Sequence, residues 1–206
     1  MKPVLKHSCF FFLSALVFYS CTKETGITPN WPKKADLPGN GRDYAASFVI
    51  ANKAYVGTGY NSAYQKDFWE YDPATNVWTE KADFGGTARE RAIGFSVGTK
   101  GFIGTGYDGG PRNDFWEYDP TANSWLQKTP MPASGRNNAV AFVVGNKAYI
   151  GTGWNGSSQI YLNDFWEFFP DSNTWILKAG IPVNKRYEAT AFSVGGKGYA
   201  GLGYSN

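Results

Sequence analysis

The chain has 206 residues, of which 18% are charged, 17% are aromatic and 25 are glycine. This mixture of turn-forming glycines and bulky rings favours an all-β fold and excludes disorder and a coiled coil. Without residues 1–20, which we expect to be removed, 18 basic residues face 17 acidic ones, so the net charge is +1. No basic field is then left to bind nucleic acid.

Residues 1–20 have the features of a secretory signal peptide. Lys2 and Lys6 give this segment a positively charged start, and the apolar run CFFFLSALVFY follows at residues 9–19. As a helix, this run would span about 16 Å, whereas a bilayer core is about 30 Å thick. The run is therefore too short for a transmembrane anchor.

The sequence FYSC at residues 18–21 resembles the processing site of bacterial lipoproteins, with Phe18 where such sites usually have leucine. The resemblance implies that Cys21 becomes the lipid-carrying N-terminus of the mature protein. Residues 21–30 are polar and are predicted to form a flexible tether. We expect an exported protein that is lipid-anchored at the outer membrane or surface of a bacterium. The alternative is a periplasmic or secreted protein with a free thiol at Cys21.

The removed segment contains His7, which is the only histidine, and Cys9. The mature chain therefore has no histidine and a single cysteine, Cys21. This count excludes histidine-ligated metal sites, imidazole catalysis and an intramolecular disulfide. We predict no metal and no cofactor.

The rest of the chain repeats with a period of 47 residues, lengthened to 50 in the third unit. The recurring tryptophans are Trp31, Trp78, Trp125 and Trp175, and the recurring arginines are Arg42, Arg89, Arg136 and Arg186. A Gly-x-Gly motif follows each arginine, and the sequence DFWEYDP or DFWEFFP follows the first three of these motifs. Several marks at one shared period indicate a repeat architecture.

Each complete unit contains four short strand signals that are separated by turns. In the first unit, strand a covers residues 44–50, strand b covers 54–57, strand c covers 68–71, and strand d begins at Trp78. Four antiparallel strands in a unit of about 47 residues are typical of one blade of a β-propeller.

The order of arginine, strand, glycine pair, Asp-x-x-x-Tyr-Asp and tryptophan resembles the kelch repeat, and it extends over residues 31–203. Gly-Thr-Gly stands in place of the usual Gly-Gly pair. The Trp-Asp and Gly-His marks of WD repeats are missing. The resemblance implies a kelch-type β-propeller, but a fold by itself does not define a function.

The strand inventory predicts three complete four-stranded blades with partial blades at both ends, all within residues 31–206. Units begin near residues 42, 89, 136 and 186, and residues 31–37 match strand d alone. The last unit supplies only strands a and b. We therefore expect a truncated piece of a longer ring, because the orphan strand would otherwise leave open sheet edges. An open array or an assembly with another chain is the alternative.

The loops at one end of the predicted propeller differ between units, whereas those at the other end are nearly identical. Loops d–a and b–c form the differing end, which we call the variable rim. Binding groups usually lie in loops on a rigid scaffold, so this rim is the predicted binding site. Its inner candidates are Tyr44, Glu90, Arg91, Asn138, Tyr187 and Glu188, and its outer candidates are Tyr60, Tyr64, Tyr107, Asp108, Arg112, Trp154 and Tyr161.

Two repeated sets of side chains are expected to support the fold. The recurring arginines are predicted to pair with the glutamates of strand c, which are Glu70, Glu117 and Glu167. A charge pair that recurs in every blade is more often structural than catalytic. The strand d tryptophans are predicted to wedge between adjacent sheets.

The sequence favours a non-catalytic binding module on a lipid tether, with a glycan or a protein as its ligand. Aromatic rings combined with amide and carboxylate groups suit either one. In kelch-type peptide binders, arginines at the position of Arg91 contact acidic ligands, but only one of the four equivalent positions is basic here. No catalytic residue is predicted.

The alternative is a carbohydrate-active enzyme, because secreted kelch-type propellers include sugar oxidases and sugar mutarotases. A copper-dependent oxidase is excluded, because its metal needs histidine ligands. A sugar (sialic acid) mutarotase is compatible with the residues, with Glu90 or Glu188 transferring the proton and Arg91 orienting the sugar. A third hypothesis is a structural propeller that docks onto partner subunits.

Overall fold

The computed structural model describes residues 31–39, 41–156, 160–182 and 184–205. Among the described residues, those from Lys34 onward form one compact unit, and residues 31–33 belong to another. The predicted signal peptide, Cys21 and the whole predicted tether lie outside the described residues. Within the described ranges every regular element is a strand, and no helix there could cross a membrane.

The described strands form three four-stranded antiparallel sheets and two two-stranded ones. Blade 1 comprises β1 (Ala46–Ile50), β2 (Lys53–Gly57), β3 (Phe68–Asp72) and β4 (Val77–Lys81). Blade 2 comprises β5 (Ile93–Val97), β6 (Lys100–Gly104), β7 (Phe115–Asp119) and β8 (Ser124–Lys128). Blade 3 comprises β9 (Val140–Val144), β10 (Lys147–Gly151), β11 (Phe165–Phe169) and β12 (Thr174–Lys178). Blade 4 comprises β14 (Thr190–Val194) and β15 (Lys197–Gly201), flanked by the short pair β13 (Arg186–Tyr187) and β16 (Tyr204–Ser205).

The first strands of successive blades lie side by side. Strand β5 contacts both β1 and β9, and β9 contacts β14. Each four-stranded sheet is a simple meander in which every strand pairs with the next one in the chain. This arrangement confirms the predicted all-β propeller with three complete blades and a partial fourth one. The described residues do not close into a ring.

Aromatic side chains fill the space between the blades. Trp125 of blade 2 packs edge-on against Phe68 of blade 1, with ring centroids 5.0 Å apart, and Trp175 repeats this contact on Phe115 at 4.9 Å. Gly101 lies against the ring of Phe48, where an added Cβ would come within 2.1 Å of a ring carbon. The prediction that strand d tryptophans wedge between sheets is confirmed for Trp125 and Trp175.

Each of these tryptophans also holds the residue that follows strand d of the preceding blade. The Trp125 indole donates to the carbonyl of Ala82 (3.1 Å), and the Ala82 N–H donates to the side chain of Asn123 (3.0 Å). Trp78 and Asn76 make the same two hydrogen bonds with Ala35. Ala35 therefore occupies the position that follows a strand d.

The prediction that residues 31–37 form a strand d is wrong, because the structure has no strand at these residues. A strand requires a hydrogen-bonded neighbour, which for strand d is strand c of the same blade. The described part of the chain contains no strand c ahead of Ala35. Only the contact with the following blade is therefore formed.

The predicted pairs between arginine and glutamate are also wrong. The guanidinium of Arg89 donates to both carboxylate oxygens of Asp114, at 2.6 and 2.9 Å, and to the carbonyl of Thr105. Arg136 makes the same contacts with Asp164, and Arg42 makes them with Asp67. Each aspartate directly precedes strand c and therefore lies at the end of the sheet where the d–a loop carries the arginine.

The glutamates of strand c pair with lysines instead. Glu70 lies in the middle of β3, and it accepts hydrogen bonds from Lys53 (2.6 Å) and from the Tyr55 hydroxyl (2.7 Å) on β2. Glu117 pairs with Lys128, and Glu167 with Lys147 and Lys178. Each of the three complete blades therefore has two separate ion-pair systems, one at the end of strand c and one in its middle.

The buried arginines hold their aspartates in the ionised form. Burial alone would raise the pKa of Asp114, but hydrogen bonds from Arg89 and Trp116 outweigh this effect and lower the pKa below its ordinary value. A carboxylate whose pKa is lowered in the folded state stabilises the fold above its unfolded pKa of about 3.9. This contribution is lost as the pH falls through the lowered pKa.

We predict that Asp114→Asn lowers the free energy of unfolding by about 3 kcal/mol at pH 7, because Arg89, only 1% exposed, loses its counter-charge. Urea denaturation measures this loss. Asp83→Asn is the matched control, because the pair between Asp83 and Lys66 is about half exposed. The control should change stability by less than about 1 kcal/mol.

The pH dependence separates the loss of charge from a change in packing. The difference between wild type and Asp114→Asn should narrow as the pH falls below about 4, because protonation then removes the same charge from the wild type. Equal losses in Asp114→Asn and Asp83→Asn at pH 7 would contradict the structural role of the buried pair.

Candidate functional site

The two kinds of loop that form the variable rim are joined by backbone hydrogen bonds. Glu90 of the d–a loop and Tyr107 of the b–c loop exchange N–H to carbonyl bonds of 3.0 and 2.9 Å. Equivalent bridges join Asp43 to Tyr60 and Asn137 to Trp154. Loops d–a and b–c therefore lie at the same end of each blade, as predicted.

A second set of backbone bonds connects the blades to each other. The N–H of Arg91 donates to the carbonyl of Tyr44, Asn138 donates to Arg91, and Glu188 donates to Asn138, at 3.0 to 3.2 Å. We call these four residues the axial belt. All four have a positive φ between 51° and 56°, which non-glycine residues adopt only at a cost of about 1 kcal/mol or more.

The axial belt has one backbone conformation and four different side chains. Glycine adopts a positive φ without strain, yet none of the four positions is glycine. The backbone of the belt therefore connects the blades, and this role does not depend on which side chain stands at each position. The side chains can differ and contact a ligand. Three of them, Arg91, Asn138 and Glu188, face a common cavity.

This cavity has a volume of about 530 Å³ and lies at the variable rim of blades 2 to 4. It is lined by residues from both kinds of loop, namely Glu90, Arg91, Tyr107, Asn137, Asn138, Trp154, Tyr161, Tyr187 and Glu188. All of these except Asn137 are predicted site residues. Among the described residues, no group of three or more histidine, cysteine, aspartate or glutamate side chains could hold a metal ion.

Arg91 is the centre of the charge network in the cavity. Its Nε lies 3.3 Å from Glu90 Oε1, and its Nη1 lies 3.3 Å from Glu188 Oε1. The ring of Tyr44 covers one face of the guanidinium, with 3.7 Å between Cζ and the ring centroid. Tyr44 therefore acts on the site through Arg91, because it is not among the cavity-lining residues.

The remaining wall is aromatic. The rings of Tyr161 and Tyr187 lie 4.7 Å apart, and Tyr204 meets the Tyr187 ring at 5.6 Å. Burial and then the nearby charge of Glu188 raise the pKa of Tyr187, so its phenol stays neutral at physiological pH. The indole nitrogen of Trp154 is buried without a hydrogen-bond partner among the described residues.

Four predicted outer residues lie away from this cavity and contact each other or neighbouring loops. Tyr64 packs between Tyr60 and Tyr107, with ring centroids 5.5 and 6.2 Å away. Arg112 Nε donates to Asp108 over 2.6 Å, and Thr87 also donates to Asp108. Burial alone would raise the pKa of Asp108, but these hydrogen bonds lower it. Contact between these four outer residues and a ligand stays a prediction.

The sequence interpretation missed Asn137. The residue is 1% exposed, and its Oδ1 accepts a hydrogen bond from Asn138 Nδ2 at 3.2 Å. Asn137 directly follows Arg136 as Glu90 follows Arg89, so its place in the repeat was the available signal. Its burial, which the sequence comparison does not show, distinguishes it from the predicted neighbour Asn138.

Radial four-stranded meanders with a cavity at one end define a β-propeller. A family model for the KLHDC2/KLHL20/DRC7 Kelch-repeats domain matches residues 42–200, and the chain belongs to this kelch-repeat family. The fold is also similar to the solved structure of YjhT, with a TM-score of 0.67 and 18% sequence identity. That match covers 77% of this chain and 58% of the YjhT chain. No curated protein matches the chain.

We predict that Asn138→Gly is more stable than Asn138→Ala by about 1 kcal/mol, because only glycine adopts a φ of +51° without strain. Both variants lose the same side-chain contacts, so urea denaturation of the pair isolates the backbone effect. The neighbouring Asn137, which lacks a positive φ, is the control, and Asn137→Ala should be at least as stable as Asn137→Gly. The same order at both positions would contradict the strained belt.

Proposed function

We propose that this chain is a non-catalytic binding module that recognises a segment of another protein in the cavity of the variable rim. One observation carries the proposal: the two positions that follow the recurring arginine have a different residue in every unit, and six of the nine cavity-lining residues lie at these positions. Residues required by the fold recur in every blade, whereas these six lining residues do not recur at their equivalent positions. The position of Tyr107 and Trp154, by contrast, is aromatic in all four units. A cavity of about 530 Å³ is within the usual range for ligand sites.

The chemistry of the lining supports a protein ligand. Kelch-repeat domains commonly bind proteins. Tyrosine, tryptophan and arginine are the residues that most often dominate binding energy at protein interfaces. Tyr107, Trp154, Tyr161 and Tyr187 provide such anchors around Arg91. A glycan, which also stacks on aromatic rings, is the other ligand that we test.

The sugar mutarotase is the second candidate, and one observation favours it. Glu90 and Glu188, the two carboxylates that this reaction could use, lie in one cavity and flank Arg91 at 3.3 Å. Exchange between the α and β anomers of sialic acid or hexoses, measured by NMR, tests it. Catalysed exchange that disappears in Glu90→Gln or Glu188→Gln would replace the binding module with an enzyme.

We also propose that the protein is exported and lipid-anchored through Cys21, on the basis of residues 1–21 alone. In bacteria that express the full chain, it should be found in the membrane fraction, with an acylated N-terminal peptide in mass spectra. Cys21→Ala should abolish both signals. A membrane-bound Cys21→Ala protein, or an unmodified wild type in the soluble fraction, would contradict the anchor.

The binding proposal predicts that Tyr187→Ala weakens binding about tenfold or more, because aromatic anchors carry much of the interface energy. Ligands are selected on the wild type from random dodecapeptides displayed on phage and from a glycan array, and their affinities are measured by calorimetry. Tyr199→Ala is the control, because Tyr199 is 45% exposed on β15 and does not line the cavity.

Three outcomes discriminate the hypotheses. Peptide binding that is lost in Tyr187→Ala but kept in Tyr199→Ala supports the proposal. Glycan binding with the same response changes the ligand class to a sugar. Ligands that bind all three proteins equally, or the absence of any ligand, contradict a binding site in this cavity.

A further inference from the structure

The charges inside the cavity do not balance. Two carboxylates, Glu90 and Glu188, face one guanidinium, that of Arg91, and the other lining residues are uncharged. The cavity therefore has a net charge of about −1. The side chain of Glu188 is 50% exposed and that of Glu90 is 15% exposed, so Glu188 is the more accessible carboxylate.

Arg91 is poorly placed to receive an acidic ligand. Its Nε and Nη1 face Glu90 and Glu188, and Tyr44 covers one of its faces. An incoming carboxylate that approached the remaining nitrogen, Nη2, would lie close to the negative charges of both glutamates. Like charges brought together in this way oppose binding. The acidic ligand implied by the position of Arg91 therefore does not fit this arrangement.

The aromatic wall next to Glu188 suits a cation. Aromatic faces attract lysine and arginine head groups, and carboxylates form the stronger, charge-assisted hydrogen bonds with them. Tyr187 and Glu188 are consecutive, and Tyr161 packs on Tyr187 at 4.7 Å. The raised pKa of Tyr187, caused by burial and then by Glu188, keeps its ring neutral.

We infer, resting on the proposed function, that the cavity binds a lysine or arginine side chain of the partner protein. The head group lies against the Glu188 carboxylate, and the aliphatic stem lies along the rings of Tyr161 and Tyr187. Long basic side chains commonly cover apolar surface with their stems while the charge stays at a polar group. Arg91 contacts Glu188 through Oε1, and half of the Glu188 side chain stays exposed to the cavity.

The test uses random dodecapeptides displayed on phage and selected in parallel on three full-length proteins: wild type, Glu188→Gln and Glu80→Gln. Glu80→Gln is the matched control, because it removes an identical charge from the outer strand β4, away from the cavity. The wild-type and Glu80→Gln pools should be enriched in lysine or arginine. The Glu188→Gln pool should not show this enrichment.

Affinities of one selected peptide provide the quantitative check. Replacing its basic residue with methionine, or using Glu188→Gln, should each weaken binding about tenfold, as expected for a hydrogen bond to a charged group. The two changes together should weaken binding little more than either one does. Arg91→Gln should strengthen binding several-fold, because it removes the competing positive charge.

The outcomes separate this inference from the proposed function. Peptides enriched in aspartate or glutamate, or with no charge preference, that still lose binding in Tyr187→Ala overturn the cationic ligand and leave the binding module intact. Weaker binding of the basic peptide to Arg91→Gln also overturns the cationic ligand. Failure to select any peptide whose binding depends on Tyr187 overturns both.

Discussion

The contact between a strand d tryptophan and the aromatic residues of the preceding blade is the interaction on which the rest of the structure depends. Trp125 lies edge-on to Phe68 and donates its N–H to Ala82, so one side chain joins two sheets through packing and through a directed hydrogen bond. Because the contact recurs at Trp175, it sets a similar relation between the next two sheets. The first strands of the blades are thereby brought side by side, and the axial belt forms between them.

Within a blade, the frame uses charges that do not reach the binding cavity. The pair between Arg89 and Asp114 ties the d–a loop to the start of strand c, and lysines neutralise the glutamate in the middle of the strand. These repeated interactions hold the backbone of the variable rim in one conformation. A rigid backbone with variable side chains is the usual basis of a recognition surface.

The repeat made most of the fold predictable, because strand number, order and turn positions follow from the period alone. Interaction partners were less predictable. Aspartate and glutamate recur with the same period as arginine, so periodicity could not decide whether Arg89 pairs with Asp114 or Glu117. The arginine lies at the end of the sheet, beside the aspartate that precedes strand c, whereas the glutamate lies in the middle of that strand. The arginine therefore pairs with the aspartate. Similarly, residues 31–37 resemble a strand in sequence, but strand formation depends on a neighbour.

The variable rim was predictable, but its cavity was only partly so. Comparison of the units identifies the positions that differ, including Arg91 and Glu188. The comparison does not show which loop residues form hydrogen bonds with each other, as Asp108 and Arg112 do. It also passes over a buried neutral residue such as Asn137. Contacts within a loop depend on its three-dimensional path, which the sequence comparison does not contain.

A double-mutant cycle between Phe68 and Trp125 tests the central claim most directly, because these residues lie 57 positions apart in the chain and meet only if successive blades pack face to face. Unfolding free energies of Phe68→Leu, Trp125→Leu and the double variant give the coupling energy. We predict a coupling of about 0.5–1.5 kcal/mol between the two rings. Purely additive effects would contradict the radial packing of the blades.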